Sequence, residues 1–247
     1  MLDIRRKDEH FRMRGGWLDA RWHFSFSDYY DPQNLNFGPL RVFNDDRIDG
    51  ESGFPMHPHW DMEIVTLVQG GVLTHYDSVG NSGEIQPGDV QKMSAGTGIQ
   101  HSEWNYAHEP VRLQQIWFLP GRKGIKPSYA QERYEVTESG LTVVASPWAI
   151  AGGVPIYQDV VMALAERTEP LEYKLPNRRG LYVYAISGEG AVQGEELRQG
   201  DAARIVSTGK GESISIQGPG RVLIIDVPVV DGAEHSALLA AGRAAGQ

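Results

Sequence analysis

A chain of 247 residues with 40% apolar residues and a formal charge of −9 has the composition of an ordinary globular protein with a buried core. The acidic balance and the lack of lysine and arginine runs argue against direct nucleic-acid binding, which needs clustered positive charge. Because there is no cysteine, disulfides, thiolate ligands and a cysteine nucleophile are excluded together, and any metal must be held by histidine and carboxylate.

Residues 1–9 lack an apolar signal core, and no run of about 18 apolar residues, the length that spans a bilayer, occurs in the sequence. The absence of cysteine also suits a reducing compartment. We therefore expect a cytoplasmic protein that does not enter a membrane.

Strand and turn signals dominate the chain, since 29 glycines and 14 prolines separate short runs rich in valine, isoleucine, tyrosine and tryptophan. In the first half, strands are predicted at residues 64–68, 72–76, 90–93 and 113–119, with turns at 70–71, 87–89 and 95–98. Short strands at such regular spacing are typical of a barrel or jelly roll. The sequence therefore predicts an all-β fold with a few short helices.

Two histidine-containing pairs lie among these strands, His-Pro-His at residues 57–59 and His-Ser-Glu at residues 101–103. The outer residues of each pair are two positions apart, so on a β-strand both side chains point to the same face. If the two strands meet inside a barrel, three imidazoles and one carboxylate converge on a mononuclear metal site. The candidate ligands of such a site are His57, His59, His101 and Glu103.

The second half has the pattern of a diverged copy of the first. Strands are predicted at residues 182–186, 214–216 and 222–227, and Gly200-Asp201 repeats the Gly88-Asp89 turn. Counted from these turns, the positions equivalent to the four ligands are Leu175, Asn177, Ser213 and Ser215. No histidine lies between His108 and His235, so the second half is predicted to bind no metal of this kind.

The chain is accordingly divided into an N-terminal metal-binding domain, residues 1–135, and a C-terminal domain without metal, residues 136–247. Pro147, Gly152 and Gly153 interrupt the region in which this boundary is expected. Residues 233–245 are expected to form a short terminal helix.

Residues 53–59, followed by Glu63 and Gly70, resemble the first cupin motif, and residues 88–105 resemble the second. The stretches at residues 17–19, 23–26, 28–32, 37–42, 57–66 and 93–103 together resemble pirin and its bacterial homologues, the quercetinase-like bicupins. The second half resembles this family only in its degenerate cupin layout.

The resemblance implies two tandem cupin (jelly-roll) barrels, with one mononuclear metal in the N-terminal barrel. Many cupins take their carboxylate ligand from the first motif, which here would be Glu63, and spacing alone leaves Glu63 and Glu103 both open. The pirin pattern uses the glutamate of the second pair, so we assign Glu103 as the ligand. Glu63 is then expected to orient a ligand imidazole.

The activity that the resemblance implies is that of a metal-dependent dioxygenase opening a flavonol such as quercetin with O2. Fe(II) is the expected ion, although Ni, Cu, Co, Mn and Zn compete for such a donor set. Glu103 is the expected base for the flavonol hydroxyl, with Glu63 as the second candidate.

Two other functions stay open on the same scaffold, a redox-sensitive regulator that binds a protein partner and a sugar isomerase or epimerase. An enzyme acting on a small aromatic substrate should have a cavity that reaches the metal. A regulator should instead have a partner-binding patch around it, and a sugar isomerase should have a polar pocket.

The remaining candidates are expected to be structural. His23 is predicted to be packed or at the surface, and His75 and His108 to be exposed to solvent. The pair Asp45-Asp46 is predicted to be a solvated surface pair whose side chains face opposite ways. The aromatic residues expected in the core rather than at a flat aromatic substrate are Phe24, Phe26, Tyr29, Tyr30, Phe37 and Phe43.

Overall fold

The computed structural model describes residues 1–137, 140–167, 169–207, 209, 211–218 and 220–229, and it confirms the all-β fold. Within these residues the helical content is one 3-10 helix, Lys7–Glu9, which is less than the few short helices expected. The terminal helix predicted for residues 233–245 lies outside the described residues. In the part of the chain that is described, no helix is long and apolar enough to cross a membrane.

The first half of the chain forms a barrel from two antiparallel sheets. The first strand of the chain, β1 (Leu2–Arg5), joins the second barrel. The strands of the first barrel are β2 (Phe11–Gly15), β3 (Leu18–Trp22), β4 (Leu40–Ile48), β5 (Ser52–His59), β6 (Glu63–Gly70), β7 (Leu73–Asp77), β8 (Ser82–Ile85), β9 (Asp89–Ser94), β10 (Ile99–Asn105), β11 (Val111–Phe118) and β12 (Ser128–Arg133). The seven-stranded sheet has the order β12-β9-β6-β11-β4-β3-β2, and the four-stranded sheet has the order β5-β10-β7-β8. Trp22 and Ile48 of the larger sheet pack with Leu73 and Ile85 of the smaller one in a common core, which fills part of the barrel interior.

The second half forms the second barrel. Its strands are β13 (Thr142–Pro147), β14 (Val154–Ile156), β15 (Val161–Arg167), β16 (Leu171–Leu175), β17 (Arg179–Val192), β18 (Glu195–Arg198), β19 (Ala202–Val206), β20 (Glu212–Gln217) and β21 (Gly220–Pro228). They form one ten-stranded sheet together with β1, which pairs with β19. In the first barrel β12 occupies the corresponding edge beside β9. The domain boundary near residue 135 stays a prediction, but the first strand of the chain, β1, belongs to the sheet of the second barrel.

The repeated turn has the same geometry in both barrels. Gly88 has a φ of 93° and Gly200 a φ of 89°, a region that residues with a side chain rarely adopt. The Asp89 carboxylate accepts a hydrogen bond at 3.1 Å from the amide of the residue three positions earlier, and the Asp201 carboxylate does the same at 3.1 Å. This match supports the internal repeat that the sequence indicates.

Strands β16 and β20 of the second barrel correspond to β5 and β10 of the first. The buried side chains of these two strands are Leu175, Ile214 and Ile216, which are apolar and pack together in a hydrophobic core. The absence of a metal from this barrel remains a prediction.

A third core joins the two barrels. It contains Phe43 and Val65 from the first barrel and Tyr182 and Tyr184 from the second. Rings of Phe43 and Tyr182 lie 5.3 Å apart, centroid to centroid. His23 is buried at this junction and forms a hydrogen bond with the Tyr182 hydroxyl, so the packed position expected for it is confirmed.

His10 stacks on His23 at 3.5 Å, and its burial is expected to make the fold less stable in mild acid. Burial, reinforced by the positive charge of Arg204, lowers the pKa of His10 from 6.5 to about 4. Between these values the unfolded chain binds a proton at His10 that the folded chain excludes, so the free energy of unfolding falls as the pH falls. From pH 7 to pH 5 the loss due to His10 is about 2 kcal/mol.

Urea unfolding at pH 7 and pH 5 measures this loss. The His10→Gln variant should lose about 2 kcal/mol less than the parent over this range. His108→Gln is the matched control, since the His108 side chain is 88% exposed, and it should behave like the parent. Equal losses in the parent and in His10→Gln would contradict the prediction.

Candidate metal centre

Strands β5 and β10 bring the two predicted ligand pairs together. They are antiparallel neighbours, with His101 opposite His57. A register shift after His101 places Glu103 opposite Phe54. Because side chains alternate along a strand, His57 and His59 share the face of β5 that meets His101.

The three imidazoles form a compact group. Ring centroids lie 4.8 Å apart for His57 and His59, 4.4 Å for His57 and His101, and 4.9 Å for His59 and His101. One ring nitrogen of each residue lies within 4.8 Å of those of the other two. This spacing allows the three residues to hold a single metal ion.

The nitrogen atoms of this group suit metal ligands. His57 Nδ1 lies 2.8 Å from the Pro55 carbonyl oxygen, so Nδ1 carries the proton and Nε2 keeps its lone pair for a metal. His59 Nε2 is buried without a hydrogen-bond partner among the described residues. Buried polar atoms are normally paired, so this unpaired nitrogen fits a group that binds a metal.

Burial also keeps the imidazoles in the form that metals require. Desolvation, with the neighbouring imidazoles adding to it, lowers the pKa of His59 to about 3 and that of His101 to about 2. Both rings are therefore neutral near pH 7, and neutral imidazole is the metal-binding form.

Glu103 lies beside His101 in a second, overlapping group. Donor atoms of Glu103, His101 and His75 lie within 4.8 Å of one another, whereas Glu103 is not part of the three-imidazole group. Gln115 Nε2 donates to both Glu103 oxygens, at 2.9 and 2.8 Å, and Thr66 Oγ1 lies 3.5 Å from one of them. The predicted ligands thus meet as two groups that share His101.

Sequence reasoning missed Gln115 and Thr66. Both stand inside strands that are otherwise largely apolar, and they lie opposite each other on β11 and β6. Polar residues buried in such strands need partners, which is the signal that could have drawn attention to them.

Glu63 is placed elsewhere. Its Oε2 accepts hydrogen bonds from the Ser94 hydroxyl at 2.9 Å and from the Tyr157 amide at 3.1 Å. Burial raises the pKa of Glu63, and the charge of the buried Lys92 ammonium group offsets only part of this rise. Among the described contacts none joins Glu63 to the imidazoles, so the geometry does not support the predicted orienting or basic role.

The reason lies in the connection between β5 and β6. Glu63 is an even number of residues from His57 and His59, which on one continuous strand would place all three side chains on the same face. This alternation holds only within a single strand. The chain turns at Asp61, which has a φ of 44°, and enters the other sheet. On β6, Thr66 contacts Glu103, so Glu63 lies on the opposite face, toward the second barrel.

A cavity of about 390 Å³ reaches this site. Its apolar walls are Met13, Leu18, Trp22, Phe26, Phe54 and Trp117. Its polar lining is Ser27, Asp28, Asn44, Asp46, His57, His59, Glu103 and Gln115. The volume is within the range of small-molecule binding sites.

Comparison with known proteins agrees with this architecture. Residues 5–118 match the pirin family, and residues 143–227 match the quercetinase C-terminal cupin domain. A quercetin 2,3-dioxygenase of Escherichia coli K12 is 38% identical over 93% of this chain and 100% of its own length. The chain belongs to the pirin family.

Comparisons with two further proteins support the same family and fold. A pirin-like protein of Caulobacter vibrioides is 43% identical over 77% of this chain and 84% of its own length. The crystal structure of the bacterial pirin YhhW of Escherichia coli in complex with nickel(II) has a TM-score of 0.87 and 37% identity, over 93% of this chain and 100% of that one. The predicted family and the two-barrel cupin fold are confirmed.

His75 of this pirin is buried, so its predicted exposure to solvent is wrong. Its Nε2 lies 3.3 Å from Asp77 Oδ2, and its Nδ1 lies 3.4 Å from His101 Nδ1. If His75 donates to Asp77, its Nδ1 accepts from His101 Nδ1, which leaves His101 Nε2 for a metal. His75 and Asp77 have the same two-residue separation as the ligand pairs, which is the signal that could have found them.

The pair Asp45-Asp46 is also buried, so its predicted surface position is wrong. The two side chains do face opposite ways along β4. Asp45 accepts hydrogen bonds from Arg112 and Gln114, whereas Asp46 lines the cavity. Burial, with the charges of Asp45 and Glu103, raises the pKa of Asp46 well above its usual value.

The first-half aromatics divide between core and cavity. Phe24, Phe37 and Phe43 lie in the core at the junction of the barrels, as predicted. Phe26 instead lines the cavity, Tyr29 is half-buried at the edge of the first barrel's core, and Tyr30 is 62% exposed. The core prediction therefore holds for half of these residues.

Proposed function

We propose that this pirin is a metal-dependent dioxygenase that opens a flavonol such as quercetin with O2. The proposed metal ligands are His57, His59, His101 and Glu103. The observation that carries the proposal is the cavity with aromatic walls that reaches three of these four residues. Similarity to a protein named quercetin 2,3-dioxygenase supports the reaction class.

Fe(II) is the ion that we propose, on the strength of the family resemblance. The nickel(II) complex of YhhW supports a divalent ion, and the donor set would also accept Ni, Cu, Co, Mn or Zn. When bound, such an ion supplies a Lewis acid that lowers the pKa of a substrate hydroxyl.

Residues around the cavity have separate tasks in this proposal. Glu103 would help to hold the ion and would accept the proton of the flavonol hydroxyl, since a carboxylate has two acceptor oxygens. Gln115 fixes the direction of that carboxylate through its two hydrogen bonds. The rings of Trp22, Phe26 and Phe54 hold the planar substrate and exclude water.

The same cavity weighs against the two other functions. A redox-sensitive regulator without turnover needs an exposed patch for its protein partner rather than a cavity that reaches the metal. A sugar isomerase needs a polar pocket, whereas the surface that this cavity exposes is mainly apolar.

Oxygen uptake tests the proposal. Protein loaded anaerobically with Fe(II) should consume O2 when quercetin is added, in step with the loss of the flavonol absorbance. Glu103→Gln should lower kcat/KM at least about a hundredfold, because it removes a general base. Gln100→Ala, an exposed neighbour on β10, should retain the parental rate. If the loaded parent consumes no O2 with any flavonol, the enzyme assignment must be dropped.

A further inference from the structure

The inner face of β4 presents two polar side chains to the cavity. Asn44 and Asp46 are two residues apart, so they share this face, and both line the cavity. Asn44 lies opposite Gln115 in the sheet, and Gln115 is the residue that donates hydrogen bonds to the Glu103 carboxylate. These two side chains therefore border the proposed substrate site without belonging to the donor groups.

Both side chains keep an unpaired oxygen. Asn44 is 4% exposed and Asp46 is 2% exposed, yet Asn44 Oδ1 and Asp46 Oδ1 have no hydrogen-bond partner among the residues that the structure describes. Trp117 Nε1, on the same cavity, is also buried and unpaired within that part of the chain. Leaving buried polar atoms unpaired is costly, so these atoms are suited to a ligand that pairs with them.

The neighbouring residue Asp45 shows what a structural carboxylate on this strand looks like. Its oxygens receive hydrogen bonds from Gln114 at 3.0 Å and from Arg112 at 3.2 Å. Asp46 differs from Asp45 in facing the cavity and in keeping an oxygen without such a partner among the described residues. A role in fold stability accounts for Asp45, but it leaves the unpaired atoms of Asp46 and Asn44 without explanation.

The chemistry of the lining limits the ligand. Two oxygen acceptors call for hydrogen-bond donors on the ligand, and the indole N–H of Trp117 calls for one acceptor. Most of the surface that the cavity exposes belongs to aromatic and aliphatic side chains, which favours a flat apolar body over a sugar or an ion. A planar aromatic molecule bearing several hydroxyl groups meets all of these conditions.

We propose that Asn44 and Asp46 determine substrate specificity by accepting hydrogen bonds from hydroxyl groups of a polyphenol other than the hydroxyl at the metal. This inference rests on the proposed function for the position of the metal-bound hydroxyl. It adds that the preferred substrates are polyhydroxylated, and that β4 is the element that selects them. A site built to pair with a hydroxyl rejects an analogue without it, because its own polar atoms then stay unpaired.

Two probes with the same ring system test the proposal, quercetin and 3-hydroxyflavone, which keeps the metal-binding hydroxyl but has no other. Their dissociation constants are measured by calorimetry on anaerobic, nickel-loaded protein. The parent should bind quercetin about 10 to 100 times more tightly than 3-hydroxyflavone. This preference should fall to within about threefold in Asp46→Leu and in Asn44→Leu, which keep the side-chain size but remove the acceptor.

Two further variants complete the design. Asp46→Asn keeps a carbonyl acceptor at the same place and should keep most of the preference, whereas a merely structural role would not separate it from Asp46→Leu. Asp45→Asn changes the neighbouring carboxylate on the opposite face and should leave the preference at the parental value. If Asp46→Leu has no cooperative thermal transition, Asp46→Ala replaces it.

The inference is overturned if the parent binds both probes equally, or if Asp46→Leu and Asn44→Leu keep the parental preference. Its failure is distinguishable from failure of the proposed function. A hydroxyl preference that depends on Asp46, without any oxygen uptake, would leave the specificity site standing and remove the dioxygenase. Oxygen uptake with a preference that ignores both residues would do the reverse.

Discussion

Replacing His101 with alanine is expected to abolish tight binding of a divalent metal while the barrel stays folded. His101 is shared by both donor groups, so its loss breaks each of them. Removing only the residue that hydrogen-bonds to a metal-binding histidine lowers the metal affinity by up to about a hundredfold. Losing the histidine itself should cost at least that much. Glu103→Ala is expected to act in the same direction.

Competition with a chelating dye measures the nickel(II) affinity of each variant. The metal-free thermal midpoint of His101→Ala should stay within about 5 °C of the parent value, because apolar burial and not the ion supplies most of the stability. Gln100→Ala is the matched control, since this neighbour on β10 is exposed, and it should bind metal like the parent. Parental metal affinity in His101→Ala would refute the proposed site.

Replacing His75 with phenylalanine should weaken metal binding about 10- to 100-fold, although His75 is not a proposed ligand. His75 accepts from His101 Nδ1 only if its own proton lies on Nε2, facing Asp77. This pair therefore sets the tautomer and orientation of His101, and loss of such a partner has an effect of this size. Asp77→Asn should act in the same direction but more weakly, because an amide oxygen can still accept the proton of His75.

The measurement is again nickel(II) affinity, together with the thermal midpoint of the metal-free protein. Tyr76→Phe is the control, since Tyr76 lies between the two residues on β7 and is 46% exposed on the other face. A loss in His75→Phe as large as that in His101→Ala would instead make His75 a ligand in the group with His101 and Glu103. Unchanged affinity would remove His75 from the site.

The local pattern of the sequence determined which ligand side chains share a strand face, and the pairing of β5 with β10 then brought the three imidazoles together. The spacing of two in His-Pro-His and in His-Ser-Glu is sufficient to place each pair on one face of a strand, since side-chain alternation is a property of the strand itself. The positions of the turns were also determined by local sequence. The glycines Gly88 and Gly200 occupy backbone conformations that favour glycine, and the same turn recurs in both barrels.

Other features depended on contacts between distant parts of the chain. The parity of Glu63 pointed to the imidazoles, but the chain changes sheet at Asp61, and no pattern in the sequence reports such a change. The pairing of β1 with β19 likewise joins segments from opposite ends of the chain. Sheet membership arises from tertiary packing, so parity arguments stop at the end of each strand.

The burial of polar residues was also decided by the tertiary structure. His75, Asp45 and Asp46 are hydrophilic side chains for which solvent exposure is the ordinary expectation. They are buried because neighbouring strands supply partners to His75 and Asp45, and because Asp46 faces the cavity. The sequence by itself determined which ligand side chains share a strand face and where the chain turns. Only the packing of the sheets decided which polar groups surround them, because the partners that make burial tolerable come from strands far away in the chain.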